Sequence, residues 1–150
     1  MSPWHRPFVR RRGDRIQVRL PAQVTRVVLQ AAEAVRRSVD DPAAAGHGRL
    51  LARTDESAPA ADPLVTFERQ VRIGEAADVA AGTWRNPDLS EDEAEAWLQV
   101  LGMALGLFAE ERGLRTEEDR AALGRDDEAF LSVVHALQLW LASALDAPRP

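Results

Sequence analysis

Apolar positions along this chain repeat with two periods. Between Ile16 and Leu20 they alternate with Gln17 and Arg19, the two-residue repeat of a strand with one buried face. Together with Pro7 to Arg12 and a Gly13-Asp14 turn, this predicts a β-hairpin over 7–20. A two-stranded hairpin is marginal alone, so it must pack on the helices that follow. From Val24 the repeat lengthens: Val24, Val28, Ala31 and Val35 predict an amphipathic helix over Pro21–Val39. Residues 43–62, rich in Ala, Gly, Pro, Ser and Asp, read as a loop in which Leu50 and Leu51 pin the chain to the core.

Asp62-Pro63 is a helix entry, with Asp as N-cap and Pro in the first turn. Leu64, Phe67 and Val71, then Ile73, Ala77 and Ala80, carry that helix to about Ala80, with Gly82 as its stop. Ser90 and Glu93 form a capping-box pattern before the most apolar stretch of the chain, which ends at Gly113. Trp97, Leu101, Leu105 and Phe108 make one stripe and Val100, Met103 and Leu107 another. A helix apolar on nearly every face is the enclosed centre of a domain. Thr116 to Leu123 reads as a short capped helix. The last helix, Asp126–Leu145, buries Phe130, Val133, Val134, Leu137, Trp140, Leu141 and Ala144. Leu131 and Leu139 lie off that stripe and are candidate contacts in a homodimer.

The fold class expected is mainly α: a single domain over 1–150, a bundle of four main helices with the N-terminal hairpin packed against it and a loose tail at 146–150. A chain of 150 residues buries such a core without staples. The absence of Cys excludes a disulfide framework and thiolate chemistry. No secretory h-region precedes Phe8, and the apolar run Trp97–Ala109 is shorter than the roughly 20 residues of a membrane span. A cytoplasmic protein without membrane contact is the expectation.

Charge is lopsided. Residues 1–40 hold nine Arg against three acids, and residues 41–150 ten Arg against 21 acids. The simplest account packs the basic hairpin near acidic helix termini of the same domain. The alternative is an arm for nucleic acid or an acidic protein, built on Arg10, Arg11, Arg12 and Arg15. Phosphate binding needs such charges, but only Trp4 and Phe8 stand near for base stacking.

Catalytic and cofactor chemistry has no motif behind it. His5, His47 and His135 lie far apart, and His135 has neither Glu nor His three or four residues away. Acidic clusters at Glu110-Glu111, Glu117 to Asp119 and Asp126 to Glu128 fall at helix ends, where solvated termini attract carboxylates. No phosphate loop or nucleophile elbow occurs. Trp84, alone in a polar connector, reads as a lid on the core's edge, with a partner anchor as the alternative. No catalytic, metal or cofactor residue is predicted. Candidate partner-binding residues are Arg10, Arg11, Arg12, Arg15, Trp84, Leu131 and Leu139.

Several short motifs recur in a known pattern: Phe8-x-Arg10 with Gly13, Asp41-Pro42 before Arg49-Leu50-Leu51, Phe67-x-Arg69, Glu91-x-Glu93-Ala94-Glu95-Ala96-Trp97-Leu98, and Thr116-Glu117-Glu118-Asp119. On these the chain resembles a divergent member of an actinobacterial family of unknown function, whose genes commonly neighbour that of ClpS, the adaptor of the Clp protease. Family members carry Asn-Asp-x-Arg where this chain has Gly102, Met103, Ala104 and Leu105. The resemblance implies a link to Clp-dependent regulated proteolysis and supplies no reaction. The function expected is a non-enzymatic protein-interaction module. Nucleic-acid binding through the hairpin is the alternative, and a small-molecule role comes third.

Overall fold

Val9–Arg12 (β1) and Arg15–Val18 (β2) pair antiparallel, with Val9 opposite Val18 and Arg12 opposite Arg15. Gly13 occupies the turn at φ 62°, a left-handed conformation that glycine adopts without a Cβ clash. The hairpin is part of a larger sheet. Asp88–Ser90 (β3) adds to β2, also antiparallel, with Leu89 opposite Ile16. Three residues carry no readable period, so this strand was invisible in the sequence. One face of the sheet, Val9, Ile16, Val18 and Leu89, is buried. The computed structural model describes residues 8–44, 46–51 and 62–148; Trp4, His5, parts of the expected 43–62 loop and the end of the tail lie outside them.

The described chain is mainly helical, with six helices instead of four. Four are long: Ala22–Asp40 (α1), Pro63–Thr83 (α3), Glu91–Arg112 (α4) and Arg125–Asp146 (α6). Two are single short turns, His47–Leu51 (α2) and Glu117–Ala121 (α5). The region read as loop therefore contains α2, whose Leu50 and Leu51 pack on the core. The ring N–H of His47 donates to the Ser38 carbonyl at 2.8 Å and ties α2 to the end of α1.

α1 buries Val28, Ala31, Val35 and Val39 on one face, as its period requires. α3 passes through Gly82 and ends at Thr83, so glycine there does not stop the helix. At Gly74 a Cβ would strike the Arg36 guanidinium, which lies across it toward Asp40 and Asp78.

α4 sits among α1, α3 and α6 and begins with the capping box of Ser90 and Glu93. Gly113 closes it in the left-handed conformation at φ 64°. Trp97 is fully buried, and its indole N–H donates to Thr83 Oγ1 at 2.7 Å. That bond gives a large apolar side chain a polar partner in the interior, where an unpaired N–H would cost about 1–3 kcal/mol. The helix is not enclosed on every side, however. Glu95, Gln99 and Gly102 form an exposed line along it. The neighbours cover only three flanks.

α6 is 22 residues long and, by length and composition alone, apolar enough to cross a membrane. Here Leu131, Val134, Leu137, Leu141 and Ala144 are buried on its inner face. Two tilted ring pairs flank that face: Phe130 with Phe108 at 5.2 Å, and Trp140 with Phe8 at 5.3 Å.

Candidate interaction surface

The arginines of the hairpin do not form one patch. Side chains alternate along a strand, so Val9 and Arg11 share the inward face while Arg10 and Arg12 point outward. Arg11 accordingly has a side chain only 6% exposed and an ion pair with Glu91 at the start of α4. Its Nε and Nη2 donate to the Ala144 and Leu145 carbonyls at 3.1 and 2.9 Å, at the end of α6. A cation there answers the negative end of one helix while its acidic partner occupies the positive end of another. Arg11 is a staple, and its expected place on a partner surface is corrected.

On the outer face, Arg10 donates to Gln17 Oε1 at 3.3 Å. Arg15 reaches Asp88 Oδ1 at 3.3 Å and the Asp88 carbonyl at 3.1 Å, which offsets the repulsion from Arg12 directly opposite. Arg12 stays exposed. Basic hairpin and acidic helix entry thus answer one another within the domain.

Trp84 is half-buried against the core, with the Arg85 guanidinium 4.5 Å over its ring. It acts as the edge lid the sequence suggested. Leu131 and Leu139 part company: Leu131 is 7% exposed and Leu139 69%. Leu131 falls three residues before Val134, at the margin of the buried stripe, and lines a recess together with the Leu114–Arg120 link. Leu131 thus belongs to the edge of the core, and of the pair only Leu139 is exposed.

The exposed apolar surface lies where the sequence placed core. Buried side chains of α3 begin at Ile73. Ahead of it, Leu64 and Phe67 are each 61% exposed and Val71 is 42% exposed. These residues stand at spacings of three and four, so they line one face of the helix, opposite the side that Ile73, Ala77 and Ala80 bury. Val65 turns toward α4, where it lines a groove of about 500 Å³ with Leu98 and Met103. Periodicity identified the stripe correctly but could not say whether protein or solvent faced it.

No group of three metal-ligating side chains gathers among the described residues. No family model, curated protein or solved structure matches the chain.

Proposed function

We propose that the chain is a non-enzymatic protein-interaction module, and that its docking face is the outer side of the first half of α3. The observation that carries this reading is the run Leu64, Phe67 and Val71, three large apolar side chains in water at helical spacing. Such a run is the recognition pattern for an amphipathic helix laid alongside. Contiguous apolar surface of this kind marks interaction sites more often than scattered single residues do. The partner we assign is a helix presenting an apolar face. The resemblance to the ClpS-linked actinobacterial family makes a component of cytoplasmic Clp-dependent proteolysis the first partner to look for.

Crosslinking with mass spectrometry in the native host tests this. The expected result is a partner crosslinked to α3 and lost when Leu64→Ser and Phe67→Ser are combined. Crosslinks that survive the double substitution, or none to α3, would overturn the proposal. Concentration-dependent self-association abolished by the same substitutions would make the occupant a second copy of this chain instead.

The alternative, nucleic-acid binding, retains only the outward arginines. Burial of Arg11 weighs against it. Salt-dependent retention on DNA that is lost when Arg10, Arg12 and Arg15 become Gln would restore it.

A further inference from the structure

A second recess, independent of the α3 surface, opens between the latter half of α4, the Leu114–Arg120 link and α6. Its volume is about 440 Å³, within the range of small-molecule sites. Its apolar lining includes Leu105, Leu114 and the buried Leu131. Three nitrogen-bearing side chains converge on it: Arg115, Arg120 and His135. No two of them are neighbours in sequence, and His135 comes from a different helix.

Among the described residues neither guanidinium makes an ion pair, although the Asp119 carboxylate interacts with the charge of Arg115. That carboxylate also accepts from the backbone N–H of Arg115 at 3.0 Å and of Thr116 at 3.1 Å, which holds it in place as an anion. Arg120 Nη2 donates to His135 Nδ1 at 3.4 Å, a long bond that a stronger acceptor would displace. Charge-assisted bonds from Arg to a carboxylate are shorter and about twice as strong as neutral ones. Glu117 also lines the recess, so with Asp119 beside Arg115 two acids stand against the two guanidinium groups. A dianion would meet those acids with no surplus positive charge, which favours a ligand with one negative charge over one with two.

We propose that this recess binds a small organic monocarboxylate with an apolar body. Its carboxylate is taken by Arg115 and Arg120, and its chain lies against Leu105 and Leu131. The probe is octanoate, titrated into the full chain and followed by calorimetry and by methyl and amide NMR. Saturable binding is expected, with shifts at Leu105, Leu131 and His135. Acetate, which lacks the chain, and 1-octanol, which lacks the charge, bind at least about tenfold more weakly. Combining Arg115→Gln and Arg120→Gln weakens octanoate by about tenfold or more, the loss of one or two charge-assisted hydrogen bonds. Both side chains are exposed, so an unchanged Tm shows that the variant is folded. Arg12→Gln, on the outer face of the sheet, leaves binding intact. Absence of saturable shifts, equal binding of 1-octanol, or unaltered affinity in the double variant would each overturn the proposal. Tighter binding of octyl phosphate than octanoate would overturn the choice of a monocarboxylate.

Discussion

Arg11 forms an ion pair with Glu91 across 80 residues of sequence, and through it the sheet is joined to the start of α4 and the end of α6. The guanidinium satisfies two helix-terminal carbonyls as well as the carboxylate. Removing it leaves those acceptors in a largely dry site. Arg11→Gln is therefore expected to destabilise the fold by about 2–3 kcal/mol in urea denaturation. Arg12→Gln on the outer face changes stability by no more than about 0.5 kcal/mol. Similar losses in the two variants would mean that Arg11 is solvated after all.

Leu131 and Leu139 provide a second contrast. Leu131→Ala opens a void at the margin of the core and costs about 2–4 kcal/mol. Leu139→Ala removes a side chain already 69% exposed and leaves the melting curve nearly unchanged. Thermal denaturation of the two single variants distinguishes these outcomes, and size-exclusion chromatography of Leu139→Ala reads any role in self-association.

Two glycines should respond to alanine with opposite sign. Gly82 lies inside α3, and a Cβ there meets nothing within 4 Å. Gly82→Ala stabilises by about 0.5–1 kcal/mol, because the helix no longer opposes glycine's unfolded-state entropy. Gly113 holds φ 64°, so Gly113→Ala forces a left-handed alanine and destabilises by about 1 kcal/mol. Chemical denaturation with a shared slope is the measurement.

The Asp119 carboxyl lies below the ordinary value of 3.8, chiefly because the backbone N–H of Arg115 and then that of Thr116 donate to its charged form. A folded-state value below the unfolded one contributes stability at pH above the unfolded value. That contribution fades as pH falls through the lowered folded value. Carboxyl NMR titration should place Asp119 below Asp residues in the unfolded chain, with the Arg115 and Thr116 amide resonances following the same curve. Amides indifferent to that titration would mean that the α5 cap does not persist in solution.

Helix entries and exits were legible because they are local chemistry. Ser90 with Glu93, Thr116 with Asp119, and Asp62 before Leu64 each close hydrogen bonds over two or three residues, and no distant element is needed. The face of Arg11 was not legible in this way: the two-residue repeat runs from Ile16 to Leu20, and Arg10, Arg11, Arg12 and Arg15 suggested a patch instead. Of the recess beside α6, only the residue types stood in the sequence. Arg120 and His135 meet because the Leu114–Arg120 link lies beside α6.

Periodicity says which side chains share a face, and the order of residues alone settles that. What covers the face depends on where the other elements stop. Leu64, Phe67 and Val71 repeat as faithfully as Val28, Ala31 and Val35, yet the first set meets water and the second meets α3 and α4. Asp88–Ser90 becomes a strand only because β2 offers it an open edge. Caps and periods are short-range and therefore encoded where they act; burial is a property of the assembled chain.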